Sequence, residues 1–278
     1  MIGYKTESME EYLSDRNCEE PGLSTRVVCN LIERSPLHAY WEHVRLGKHS
    51  QEQAPRMDLG SAVHTAILGG SEIVYLDYND WRTNAAKELR DAAHAEGKIP
   101  LLAKQQETVQ RAAENGSALL ASLGPGKAEQ SMYFKINGCD ARGRADFMTD
   151  DGRYDVDVKT VDSADPYLFA RKQLHQNAYD IQMAMRGIGH EEIKAKSLSE
   201  RPMREGLFLL VEIEPPYAAS FVGLGPMARE LAERKIRYAA NIWRECLNKK
   251  EWPSYGRKIV WAESATFAAM DAEERGIP

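Results

Sequence analysis

Long hydrophobic runs are missing from this 278-residue sequence. No apolar stretch approaches the length of about 18 residues that a membrane-spanning helix needs, so neither a span nor a membrane partner is expected. The first residues are acidic where a secretory leader would be basic and then apolar, and a soluble, cytoplasmic protein is expected. Cysteine is scarce: Cys18, Cys29, Cys139 and Cys246 lie far apart, with no CxxC pair and no histidine at zinc-finger spacing. That dispersal argues against a structural zinc and a disulfide framework, and four free thiols are expected. A basic surplus is also missing, since 36 Lys and Arg stand against 42 Asp and Glu for a net charge of −6. Taken as a sum this speaks against nucleic acid as a partner, because phosphate neutralisation draws on lysine and arginine. The charge is nevertheless segregated, with six acidic and two basic side chains in residues 1–20 and seven basic and three acidic ones in residues 226–250. Internal repeats and low-complexity segments are absent too. What remains, 43% hydrophobic and 28% charged residues, is the composition of a globular chain long enough to bury a full core as one compact unit.

Local punctuation predicts the elements. Ser24 is placed to cap a helix carrying Val27, Val28 and Leu31, and Ser35-Pro36 restarts a second with Leu37, Tyr40, Trp41 and Val44. After a polar loop from Lys48 to Arg56, Asp58 is placed to cap a third helix, Leu59 to Leu68, closed by Gly69-Gly70. Gly60 and His64 are four apart and share one face of it. Residues 80–123 read as alanine-rich helix interrupted at Gly97 to Pro100. The period then changes to two, and 131–136, 141–148 and 154–159 form a predicted antiparallel meander with turns at Asn137-Gly138 and Asp150-Asp151-Gly152. Asp165-Pro166 opens a helix, the chain breaks around His175 to Asn177, and Ala178 to Arg186 resumes helically before Gly187 and Gly189. Leu207 to Ile213 reads as a strand, Ala218 to Leu224 as its return, and Pro226 to about Asn248 as a long helix whose Leu231, Ile236, Tyr238, Ile242 and Trp243 are packing surface. Residues 1–22 are expected to be an acidic tail, 23–262 one domain and 263–278 a peripheral tail.

Alternation in the strand from Tyr154 puts Val156 and Val158 on one face and Asp155, Asp157 and Lys159 on the other. On the preceding strand Arg142, Arg144 and Asp146 share a face, and a hairpin through Asp150 to Gly152 can bring Asp146 beside Asp157. Two carboxylates and an ammonium then converge. Hard Mg²⁺ takes oxygen ligands of this kind, lowers the pKa of bound water and polarises a phosphoryl oxygen, while a nearby lysine offsets developing charge. Phosphodiester hydrolysis is the reaction that suits such a site. Asp155 is expected to be solvated or to support the site without ligating. Arg142 and Arg144 are candidates for DNA phosphate contact or for pairing with nearby acids.

A DxK triplet alone is common on solvated hairpins; an ordered set of motifs is far more specific. Gly60-Ser-Ala-Val-His64, Gly143-Arg-Ala-Asp146-Phe, Val156-Asp157-Val-Lys159-Thr160 and Tyr179-Asp-Ile-Gln182 occur here in that order. This succession resembles the RecB-like nucleases of the PD-(D/E)XK superfamily, and most of all the exodeoxyribonuclease VIII (RecE-like) exonucleases of phages and prophages. Supporting segments at 35–41, 99–102, 211–217 and 246–255 extend the resemblance over roughly residues 23–260. It implies an α/β fold of the restriction-endonuclease-like type, a central mixed sheet flanked by helices with an N-terminal helical part. It further implies Asp146 and Asp157 as acidic metal ligands, Lys159 as the catalytic lysine, His64 as an additional metal ligand and the carbonyl of Val158 as another. Gln182 matches the glutamine of a QxxxY helix motif that arranges the site, whereas the tyrosine position is Arg186 here, a residue that could contact phosphate instead. Mg²⁺, with Mn²⁺ able to substitute, is the implied cofactor, and the dispersed cysteines do not match the relatives that carry an iron–sulfur cluster. The implied activity is 5′-to-3′ degradation of linear double-stranded DNA by a ring-shaped homo-oligomer in a bacterial host cell, with a single-strand annealing protein as recombination partner. The alternatives are a structure-specific or single-strand nuclease on the same core and a non-catalytic DNA-binding protein that retains the fold.

Overall fold

The computed structural model describes residues 2–47, 58–197 and 203–256, with residues 259, 261 and 270. The polar loop from Lys48 to Arg56 lies outside the described residues, and the expected C-terminal tail does so except for Met270. Helices α1 (Met9–Leu13), α2 (Thr25–Cys29), a π turn (Asn30–Arg34) and α3 (Pro36–Glu42) lead to α4 (Asp58–Leu68). Ser24 caps α2 as expected, its hydroxyl accepting the Val27 N–H. Helices α5 (Asn84–Ala95) and α6 (Gln106–Ala121) follow, then α7 (Pro166–Lys172), α8 (Tyr179–Ser197) and α9 (Pro226–Lys249).

Among the described residues the strands β1 (Gly3–Thr6), β4 (Gly126–Ile136), β5 (Cys139–Thr149), β6 (Tyr154–Val161), β7 (Glu205–Glu212) and β8 (Ala219–Gly223) form one sheet in the order β1-β4-β5-β6-β7-β8. Its β6–β7 pair is parallel and the others antiparallel, so the sheet is mixed. The Asn137-Gly138 turn joins β4 to β5 with φ of 50° and 85°, the left-handed pair that a tight hairpin requires. Strands β2 (Ile73–Leu76) and β3 (Ile99–Leu102) make a separate parallel pair. Neither was expected from the sequence: β3 occupies the interruption at Gly97 to Pro100.

Helices cover both faces of the sheet. On one, Val28 of α2, Ile181, Met185 and Ile188 of α8 and Ile236 and Trp243 of α9 pack on Met132, Phe134, Ala141 and Ala145. On the other, Ala62 and Val63 of α4 and Val109 and Ala112 of α6 pack on Val156, Val158, Leu209 and Val211. Burial of these side chains is the main favourable term of folding. Three expectations change. Residues 1–22 are no tail, because β1 pairs with β4 and the indole of Trp243 donates to the Pro21 carbonyl at 2.8 Å. Helix α8 does not stop before Gly187: it runs on to Ser197, and Gly189 lies so close to Phe134 that an added Cβ would come within 2.7 Å of its ring. On α9, Ile236, Ile242 and Trp243 pack inward, whereas Leu231 and Tyr238 face outward.

Candidate active site

β5 and β6 are paired only at Phe147↔Val156 and Met148↔Asp155. One step further along that register Asp146 comes opposite Asp157, and there the ladder opens. The Asp146 carboxylate takes over the vacant donor, its Oδ2 accepting the Val158 N–H at 2.7 Å. The two acids are thus fixed by strand register.

His64 reaches them from the next layer. An added Cβ on Gly60 would lie 2.9 Å from the Thr160 hydroxyl, so the glycine lets α4 press against β6. One turn on, His64 Nε2 sits 3.2 Å from Asp146 Oδ2 and 4.0 Å from Glu129 Oε1. His64, Glu129 and Asp146 each offer a ligand atom within 4.8 Å of the other two. The sequence reading missed Glu129. It lies across from Asp146 in the β4–β5 register, between Ala128↔Phe147 and Gln130↔Ala145, with a left-handed backbone at φ 56° that is rare for a non-glycine residue within a strand. No side-chain periodicity announces such a residue.

Asp157 is enclosed by donors from α8. Its Oδ1 accepts from Arg186 Nη1 at 2.7 Å and from Gln182 Nε2 at 2.9 Å, and its Oδ2 lies 2.6 Å from Lys159 Nζ. Lys159 also donates to Gln182 Oε1 at 3.2 Å and stands 4.6 Å from the centre of the Tyr179 ring. Burial opposes the charged form of Asp157, but the Lys159 and Arg186 cations overcome it and hold the carboxyl below its usual range. At Asp146 burial and the neighbouring Asp157 charge together push the pKa up, against His64. Burial works against protonated His64 as well, yet the Asp146 hydrogen bond and the surrounding carboxylates raise it. Lys159 is raised likewise, its burial outweighed by Asp157, and it stays an ammonium.

The donor set, one imidazole nitrogen and carboxylate oxygens, suits a divalent cation. Asp157 stands beside this set, its buried Oδ2 2.6 Å from Lys159 Nζ, without being one of the three residues whose ligand atoms converge. Two cavities open on the cluster: one of about 640 Å³ is lined by Gly60, His64, Lys159 and Tyr179, and one of about 210 Å³ by Tyr12, Arg144, Asp146 and Gln182.

The arginines named from the sequence as DNA contacts turn inward. Arg142 is buried, its Nε 2.8 Å from Asp15 Oδ1 and its Nη1 donating to the Tyr12 carbonyl at 2.6 Å. Arg186 is buried between Asp155 and Asp157. Arg144 pairs with Glu129 at 2.7 Å and donates to Ser131 Oγ, leaving only its edge at the smaller cavity. Asp155 is not solvated: it is buried against Arg186 and His190, in keeping with a supporting position. The reason is common to the three that lie on strands, Arg142, Arg144 and Asp155. A polar strand face reads as solvated in sequence, and here α1 and α8 cover it.

Comparison with known proteins agrees with this architecture. The crystal structure of a "putative exonuclease" from Eubacterium rectale superposes with a TM-score of 0.62 at 12% sequence identity, over 96% of this chain and 99% of that one. A second structure, SSO0001, aligns over 70% of this chain and 88% of its own at 14% identity, and its TM-score of 0.27 carries no weight. A comparison with curated proteins gives no match. A family model matches residues 31–264, which takes in every residue of the cluster, and the chain therefore belongs to the family described as a PDDEXK-like domain of unknown function (DUF3799).

Proposed function

We propose that this protein is a divalent-metal-dependent deoxyribonuclease, and within that class an exonuclease of linear double-stranded DNA. The observation that supports the reading is the convergence of His64 from α4, Asp146 from β5 and Asp157 and Lys159 from β6 on one opening in the sheet. His64, Glu129 and Asp146, with Oδ2 of Asp157, would hold the cation, Mg²⁺ or Mn²⁺ in its place. Such an ion supplies polarisation of a phosphoryl oxygen and a bound water of lowered pKa. Lys159, kept protonated by Asp157, presents its charge where a phosphate accumulates negative charge during hydrolysis. Gln182 orients that ammonium and the Asp157 carboxylate at once, one through its carbonyl and the other through its amide nitrogen. The RecE-like assignment, 5′-to-3′ polarity, a role in phage-type recombination, a ring-shaped oligomer and a single-strand annealing partner belong to the same proposal and rest on the four ordered motifs.

The test is incubation of purified protein and Mg²⁺ with end-labelled linear duplex, nicked circles and single strands, alongside Lys159→Ala and Asp157→Ala. Nucleotide release from linear duplex is expected, with each variant slower by at least about a hundredfold, or ~2.7 kcal/mol of transition-state stabilisation. Equal release by wild type and variants would reject the assigned site. Preference for nicked or single-stranded substrate would favour the structure-specific reading, and binding without any release a non-catalytic one.

A further inference from the structure

Arg186 is 1% exposed, and its environment is built around it. Nη1 donates to Asp157 Oδ1 at 2.7 Å and to the Arg144 carbonyl at 3.1 Å. Nε lies 3.0 Å from Asp155 Oδ2, an oxygen that also meets His190 Nε2 at 2.8 Å, while the His190 Nδ1 meets the Tyr4 hydroxyl at 2.8 Å. Gly143 makes room for its stem, since a Cβ there would come within 3.1 Å of Arg186 Cγ.

The consequence falls on Asp157. A carboxylate oxygen offers two lone-pair directions, and both of those on Oδ1 are taken, one by Arg186 and one by Gln182. Only Oδ2, beside Lys159, has a direction left. Asp157 can therefore lend a single oxygen to one cation; it can neither chelate an ion nor bridge a pair. The charges agree. Asp155 and Asp157 are matched by Arg186 and Lys159. Asp146 and Glu129 then carry two negative charges, the number that one divalent ion offsets, and Arg144 already stands beside Glu129. A second ion would meet a permanent buried cation with little water to screen it.

We propose that Arg186 limits this centre to a single divalent cation by saturating the inner oxygen of Asp157 and standing as a fixed positive charge beside it. The inference rests on the metal-dependent reading above. Arg186 acts through Asp157 and is a positioning residue. A merely structural arginine would affect stability and leave metal stoichiometry alone.

Mn²⁺ titration without DNA separates these roles, read by calorimetry and by electron paramagnetic resonance of wild type, Arg186→Met, the double variant Asp155→Asn/Arg186→Met, and Asp146→Asn. Arg186→Met leaves two buried carboxylates facing each other and can fail to fold; the double variant removes one of those charges, and circular dichroism confirms which variants are folded. Wild type is expected to bind one Mn²⁺ per chain. The folded Arg186 variants are expected to bind two, with the broadened spectrum of a coupled Mn²⁺ pair, and Asp146→Asn to lose binding. Two ions in wild type, or one ion in a folded Arg186 variant, would overturn the inference. No Mn²⁺ bound by wild type would instead reject the metal centre itself.

Discussion

Buried charge governs the residue scale. Asp15 and Arg142 are both enclosed, and their pairing ties the segment before α2 to β5. Arg142→Ala leaves Asp15 with Arg45 at 3.5 Å as its remaining cationic neighbour, since burial lowers the pKa of the His43 imidazole 3.6 Å away. Removing one partner of such a pair costs about 3–5 kcal/mol, and denaturant unfolding should show a loss of that order; a loss under about 1 kcal/mol would mean that Asp15 does not depend on Arg142. At the cluster, His64→Ala removes the nitrogen ligand and is expected to weaken Mn²⁺ binding while leaving the fold intact, since His64 stands at the edge of the core. Unchanged Mn²⁺ affinity in calorimetry would remove His64 from the ligand set. Asp146, Asp157 and Lys159 could be named from strand alternation, and His64 and Gln182 from the resemblance that their motifs carry. Glu129 could not, since its place depends on the partner strand and a left-handed backbone. Nor could the inward turn of Arg142 and Arg186, because burial of the one under α1 and of the other against β6 depends on distant segments.

Glycines set the distances between elements. Gly60 governs how closely α4 approaches β6, and Gly60→Val would press a branched side chain on Thr160. Overpacking of this kind costs about 1–3 kcal/mol, and the displaced helix carries His64 away from Asp146. Both a lower melting temperature and weaker Mn²⁺ binding are expected; a lower melting temperature with unaltered Mn²⁺ binding would separate the helix position from the site. Helix α8 illustrates the limit of local signals. Gly187 and Gly189 read as a helix end, yet the helix continues because packing on Phe134 repays the low helix propensity of glycine. Strands β2 and β3 escaped the sequence reading for a related reason: each is four residues long and, among the described residues, pairs only with the other.

Across the whole molecule, helix-to-helix ion pairs make stability depend on pH. Glu42, at the end of α3, meets Arg26 at 2.7 Å and Arg34 at 2.6 Å and accepts from Asn30. Burial opposes its charged form, but Asn30 and the two arginines prevail and lower its pKa to about 2. A carboxyl held below its unfolded value contributes stability that is present above the unfolded pKa and lost as pH falls through the folded one. Its share is on the order of 1–3 kcal/mol, and wild type should lose it between about pH 5 and pH 2. Thermal melts of Glu42→Gln should show a flatter pH dependence in that window, and parallel curves for the two proteins would reject the assignment. The α/β class, the hairpin turns and the order of the motifs were determined by the sequence itself, because side-chain period, turn chemistry and motif spacing act over a few residues. The tertiary structure alone decided that residues 3–6 complete the sheet, that Glu129 joins His64 and Asp146, and that Arg186 is sealed against Asp157. Those outcomes depend on register and burial between segments far apart in the chain, where local pattern carries no information.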